Sequence, residues 1–307
     1  MTKILISGSM AYDYIMDFGD SFKNHIMPDK IHMLSVSFFT PKLSKEKGGT
    51  GHNIAYNMGL LGEKAILLGA VGNDFTEKSE IIDYSNLHKV CDNLTASCYI
   101  INDKENNQIS AFYPGAMSEA SSQDIPKENI SYAIISPNDK ETMKKHLKQS
   151  FLDGIKTFFD PGQQITNISK EELIECLNYT NYLILNDYEY SLFQEKTGIS
   201  ENDLINKIEK IIVTLGKQGV KIIDKNGISQ IDAVKEVEVI DPTGAGDSFR
   251  AGLIVGLNRG KSWEQSCKIG ALTASFCIKQ YGTQKHFFTN EEFETSFEKN
   301  FGTKINL

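Results

Sequence analysis

Nine consecutive residues, Asp241-Pro242-Thr243-Gly244-Ala245-Gly246-Asp247-Ser248-Phe249, hold the densest chemistry of the chain. Small residues let a backbone approach a ligand closely, and an amphipathic helix predicted over 247–258 follows at once. Unpaired N–H groups and the positive end of its dipole therefore meet at this segment. That is the makeup of an anion site. Asp247 falls in the first helical turn, where a carboxylate would repel a bound phosphate unless it has a task, such as taking the proton of an attacking hydroxyl. The structural alternative is a tight glycine turn with Asp247 as a helix cap. No segment fits Gly-x-x-x-x-Gly-Lys-Ser/Thr and no Gly-x-Gly-x-x-Gly follows a strand, so neither a P-loop nor a dinucleotide fold is supported.

Positioning such a site requires a scaffold, and its pattern is an alternation of short β-rich apolar runs with segments of helical periodicity. This implies an α/β protein with a mostly parallel sheet covered on both faces. Strands are predicted at 4–7, 65–68, 132–135, 157–159, 182–185 and 211–213, and helices at 53–61, 141–151, 171–177, 192–196, 247–258 and 263–278. Two regions break the alternation. Residues 97–101 and 108–112 flank a polar turn and read as a hairpin, while 13–47 contains only a strand-like 35–39. Together they could form a small sheet projecting from the core. A further hairpin, 220–224 with 229–232, is marked by Asn226-Gly227.

The totals narrow the function. With 40% hydrophobic and 23% charged residues among 307, the chain can bury a sizeable core and is not a disordered tail or charged coiled coil. The sum of 32 basic and 40 acidic residues, −8, offers no basic field for nucleic acid, so an anionic ligand must be met locally. Five cysteines with no C-x-x-C pair argue against a disulfide framework or zinc knuckle. No apolar run approaches the roughly 18 to 20 residues of a membrane span. A cytoplasmic protein with reduced thiols, small-molecule partners and no membrane is expected.

The segment from Asp241 resembles the signature of the ribokinase-like (PfkB-type) carbohydrate kinases. A second match, Gly48-Gly49-Thr50-Gly51-His52-Asn53-Ile54-Ala55, is similar to that family's N-terminal motif, in which a glycine pair and an asparagine hold sugar hydroxyls. The resemblance implies a three-layer α/β sandwich with a small β-sheet lid. It makes residues 1–307 a single kinase domain, with the lid drawn from within 14–47 and 95–115. Its site would comprise Asp247 as general base, Gly244, Ala245 and Gly246 as the anion hole, and Asp13, Gly48, Gly49 and Asn53 around the acceptor.

Asn186-Asp187-Tyr188-Glu189 looks like the family's Asn-x-x-Glu, with Glu189 reaching Mg²⁺ through water, and Thr214, Gly216 and Gly219 look like its nucleotide loop. Ala274 and Cys277 fall where its adenine pocket is built. Asp241 and Thr243 match positions that supply oxygens to a monovalent cation, which would be K⁺. His52 stands where many relatives have a small residue, so a larger group there would alter the acceptor pocket. Asp160-Pro161-Gly162-Gln163 and Gly282-Thr283-Gln284 also resemble family segments.

The stretches 31–39 and 110–117 look more like bacterial adenosine kinase-type members than ribokinase or fructokinase. Their aromatic residues, Phe112 among them, could stack on a purine or instead pack the lid's own small core. The implied reaction is ATP-dependent phosphorylation of a nucleoside hydroxyl, foremost adenosine to AMP. The alternatives are a sugar kinase for ribose, fructose or a related carbohydrate, and a non-catalytic nucleoside or nucleotide sensor. Both a monomer and a homodimer through the lid are compatible with the resemblance.

Overall fold

Successive residues of the central strands face opposite helix layers, and this alternation builds the molecule. In the computed structural model, which describes residues 2–105 and 107–306, Ile4, Ile6, Ile134, Ile184 and Ile212 belong to one core. Their neighbours Leu5, Ala133, Ile135, Leu183, Leu185 and Ile211 belong to the other.

The strands are β1 (Lys3–Ser7), β2 (Ala11–Asp17), β3 (Lys42–Gly48), β4 (Ile66–Leu68), β5 (Ala70–Val71), β6 (His88–Lys89) and β7 (Ala96–Asn102). They continue as β8 (Gln108–Tyr113), β9 (Ile130–Ile135), β10 (Lys156–Phe159), β11 (Tyr182–Asn186), β12 (Lys210–Thr214), β13 (Val220–Asp224) and β14 (Gly227–Ile231). An eight-stranded sheet has the order β14-β13-β12-β11-β10-β9-β1-β4, parallel from β4 to β12 and antiparallel in the β12–β13 and β13–β14 pairs. Helices α1 (Thr50–Leu60), α2 (Lys140–Leu152), α3 (Lys170–Cys176), α4 (Asp187–Thr197), α5 (Glu201–Lys207), α6 (Ala245–Asn258), α7 (Trp263–Cys277) and α8 (Asn290–Phe301) cover it. α1, α6, α7 and α8 supply one core and α2 to α5 the other, which gives a three-layer sandwich.

β1 pairs with β4 on one side and β9 on the other. The chain thus winds away from β1 in both directions, and the crevice at the carboxyl ends of these strands is the place such a sheet offers a ligand. Beside it stands a separate four-stranded sheet of order β3-β2-β7-β8.

That small sheet corrects one expectation. Residues 35–39 form no strand; Phe38 packs irregularly against Phe18 and Phe22, with ring centroids 4.8 and 5.0 Å apart. Phe38 is thus partly buried without backbone pairing, while Phe39 faces solvent. The strands actually present are β2 and the charged β3, KLSKEKG, an exposed edge whose lysines discourage pairing with another chain. The hairpin expected at 97–101 and 108–112 forms as β7 and β8; Asn106, within the polar turn expected between them, lies outside the described residues. Helix α4 starts five residues earlier than predicted, at Asp187 rather than 192, and α5 and α8 are further helices. No helix among the described residues is long and apolar enough to cross a membrane.

Candidate active site

Six connections converge on the crevice, four following β1, β10, β11 and β12 and two leading into α1 and α6. On one wall, Asp13 of β2 lies against Gly48, where an added Cβ would stand 2.4 Å from the Asp13 Oδ2. Gly49 has φ 91° and caps α1, and a Cβ there would meet the Ser9 carbonyl oxygen at 2.5 Å. Only glycine permits this turn from β3 into the helix. Ser9 Oγ accepts the Thr50 N–H at 3.0 Å, which leaves Asn53 one turn further on, facing α6. Burial, and secondarily Glu46, pushes the Asp13 carboxyl up to about 6.

On the opposite wall Gly244, at φ 81°, caps α6, and a Cβ there would crowd Thr283 Cγ2 at 2.9 Å. The Ser248 N–H is bonded to the Gly244 carbonyl at 2.9 Å, so Gly246 and Asp247 lie in the first turn, where N–H groups lack helical partners. Ala245 departs from the expected anion hole, because its N–H already reaches the Pro242 carbonyl at 3.2 Å. Asp241 holds the turn from below: Oδ1 accepts the Thr243 N–H and Oδ2 the Gly282 N–H, each at 2.9 Å.

The two walls meet where Asn53 Nδ2 donates to Asp247 Oδ2 at 2.8 Å, and Gln284 Nε2 donates to Asn53 Oδ1 at 3.0 Å. Burial pushes the Asp247 carboxyl up to about 6, opposed by the charge of Arg250 and the bond from Asn53. A carboxyl poised near neutrality is chemically able to take up and release a proton.

One turn along α6, Arg250 forms a buried ion pair with Asp160 at the end of β10, Nη2 to Oδ1 at 2.6 Å and Nε to Oδ2 at 2.6 Å. Burial alone would weaken its charge, but Asp160 and then Glu189 and Asp247 hold the guanidinium firmly protonated. Glu189 Oε2 lies 3.9 Å from Arg250. Glu189 and Asn186 also form a reciprocal capping box on α4, two bonds of 2.8 Å each. Arg250 escaped the sequence reading, although its spacing of three from Asp247 puts both on one helix face. Asp160 and Gln284 were visible only as segments without a role.

A cleft of about 860 Å³ runs from the α6 turn along the sheet edge. Thr214, Gly216, Gly219, Ala245, Gly246 and Ala274 line it, together with Val237, Val239, Phe249 and Ile278, which the sequence did not single out. Cys277 is not on this wall: it is fully buried, with its thiol 3.5 Å from the Thr243 carbonyl. Asn186 also lies outside the lining. His52 turns into the core, not toward the acceptor wall, with Nε2 2.9 Å from the Tyr84 hydroxyl and its ring edge-on to Phe75. Burial lowers its pKa to about 4, so it is neutral.

This arrangement agrees with what the chain is similar to. The model of the pfkB family carbohydrate kinases matches residues 12–289. A nucleoside kinase of Methanocaldococcus jannaschii is 32% identical over 97% of this chain and 98% of its own length. The structure of Burkholderia thailandensis nucleoside kinase in complex with inosine superposes with a TM-score of 0.88 at 33% identity, covering 98% of this chain and 99% of that one. A ribokinase of Haemophilus influenzae is 26% identical over 85% of this chain and 93% of its own. With a buried carboxyl, a helix N-terminus and a cleft of nucleotide size arranged around one crevice, the chain belongs to the pfkB family of carbohydrate kinases and is a phosphotransferase with an alcohol group as acceptor.

Proposed function

We propose that this kinase transfers the γ-phosphate of ATP to a hydroxyl of a nucleoside, foremost adenosine to AMP. The observation that carries the reading is a cross-strand row on the small sheet, in which Asp13 pairs with Glu46 on one side and with Cys98, then Phe112, on the other. Paired residues share a face and strands lie about 4.8 Å apart, so Phe112 stands roughly 10 Å from Asp13. A ribose held by its hydroxyls at Asp13 directs an attached base toward this ring, which is 53% exposed and free to stack. A free pentose leaves the ring without a partner. The nucleoside kinases among the relatives support the same acceptor class.

In this mechanism Asp13, Gly48, Gly49 and Asn53 orient the acceptor, and Asp247 takes the hydroxyl proton as the oxygen attacks phosphorus in line. The first-turn N–H groups of α6 stabilise charge on the phosphoryl oxygens, and the small sheet acts as a lid that excludes water. Thr214, Gly216, Gly219 and Ala274 border the nucleotide, with Cys277 supporting the turn from behind. Among the described residues no three His, Cys, Asp or Glu side chains form a metal cage. Sparse oxygen donors fit Mg²⁺, which keeps waters and phosphates as ligands, so Glu189 and Asn186 would hold its hydration shell. When bound, Mg²⁺ neutralises the leaving diphosphate. Asp241 and Thr243 are the candidate K⁺ ligands, and equal rates in sodium and potassium buffers would remove that role.

The ribokinase relatives favour a second reading, a sugar kinase. A sensor is disfavoured, since it has no need of a base at Asp247. ADP release with Mg-ATP, measured across adenosine, inosine, guanosine, ribose and fructose, separates these readings. Turnover of nucleosides with adenosine fastest is expected; activity on a free sugar and none on nucleosides contradicts the proposal. Sedimentation distinguishes a monomer from a homodimer through the lid.

A further inference from the structure

The segment after α7 has no regular structure, yet each residue from Gly282 to His286 is tied to a different part of the site. Gly282 N–H reaches Asp241 Oδ2 at 2.9 Å beneath the anion turn. Thr283, buried, donates to the Lys47 carbonyl at 3.0 Å, just before the Gly48-Gly49 pair, and its Cγ2 fills the space over Gly244. Gln284 donates to Asn53, and Lys285 pairs with Glu46 at 2.7 Å. His286 Nε2 lies 2.8 Å from Asn57 Oδ1, while Tyr56 Oη donates to the His286 carbonyl at 2.5 Å. This strap joins the acceptor wall, α1 and the phosphoryl wall, which are otherwise far apart in the chain.

We propose that Gln284 is a positioning residue for phosphoryl transfer, fixing the orientation of the Asn53 amide so that its NH₂, and not its oxygen, faces Asp247. A primary amide has the same shape either way round, so its orientation is set by its partners. Asn53 needs a donor at Oδ1, and Gln284 Nε2 is that donor. While Asp247 is ionised it favours the NH₂ by itself. Once it has taken the acceptor's proton, that preference is gone, and a turned Asn53 would offer its oxygen to the acid and hold the proton there. The bond from Gln284 Nε2 opposes that turn in both protonation states of Asp247. The other groups acting on Asp247 are Arg250 on its own helix, Glu189 on α4, and Cys277 on α7, with Asp160 behind Arg250. None of them contacts the Asn53 oxygen by a bond seen here, so the strap controls this orientation separately.

The inference rests on Asp247 being the base, and the test keeps the two apart. Gln284→Glu replaces the donor by an acceptor, and Gln284→Met removes it without adding charge. The expected results are kcat lower by about tenfold or more in Gln284→Glu and less in Gln284→Met, with the acid limb of the kcat profile moved up by about one pH unit and KM for ATP within about twofold. The carboxyl carbon resonance of Asp247, titrated by NMR without substrate, should move upward in the same order. Thermal unfolding checks that both variants are folded. A wild-type acid limb that stays put in both variants, with an unmoved Asp247 titration, overturns the role of Gln284 alone. Turnover that survives Asp247→Asn overturns the base assignment instead.

Discussion

Asn53 and Asp247, separated by 194 positions in the chain, meet in a 2.8 Å hydrogen bond at the facing N-terminal turns of two helices. Each helix is entered through a glycine with positive φ, Gly49 and Gly244, and each presents its functional side chain three or four residues later. The Gly48–Ala55 and Asp241–Phe249 motifs are thus tied together, the amide of one donating to the carboxylate of the other. Residues that hold only one motif should alter binding, whereas residues that hold both should alter turnover.

The pH dependence follows from the raised Asp247 value of about 6. A protonated acid cannot accept the acceptor's proton, so kcat should fall as pH drops through about 6, with a slope of one proton. Stability runs the opposite way. The folded state binds this proton more tightly than the unfolded chain, so the contribution is complete below the ordinary carboxylate value of 3.8 and is lost as pH rises through about 6. Asp247→Asn should therefore raise Tm at pH 8 and not at pH 4, measured by calorimetry at both.

The Asp160–Arg250 pair is buried on both sides, so removing one partner strands the other charge. Asp160→Ala should cost about 3–5 kcal/mol in urea unfolding, and the paired replacement Asp160→Leu with Arg250→Met should cost less. Because Arg250 lowers the Asp247 value, Arg250→Met should also move the acid limb of kcat to higher pH. An additive double mutant would contradict the pairing.

Phe112 is exposed and packs little of the small sheet, so its loss should be felt in binding. Phe112→Ala should raise KM for a nucleoside about 3- to 10-fold, as for the loss of one aromatic stack, and leave KM for ATP and Tm nearly unchanged. An unaltered nucleoside KM would remove the base-stacking role.

Much of this was legible in the chain because local signals and tertiary needs coincide. The buried runs of the parallel sheet alternate between two cores, and the glycine turns into α1 and α6 mark themselves by residue type. The missed parts lack such signals. β3 is a charged edge strand whose pairing with β2 depends on a partner, not on its own apolar content. Residues 35–39 have the composition of a strand, but Phe38 packs in a cluster around Phe18 while Phe39 stays exposed. α8 does carry a local signal in the sequence, the capping box of Thr289 with Glu292. His52 sits beside Asn53, yet a helix turns consecutive side chains by about 100°, which sends one to the core and the other to the crevice. Gln284 is tied to its partner across 231 positions, a relation no local pattern contains.

Asp247→Asn, assayed for ADP release with Mg-ATP and adenosine beside a nucleoside-binding titration, tests the mechanism most directly. The substitution keeps the shape of the side chain and its acceptor oxygen for Asn53. The prediction is a fall in kcat of about 10²- to 10⁴-fold with nucleoside affinity within about threefold of the parent. Turnover within tenfold of the parent would contradict Asp247 as the base and the mechanism built on it.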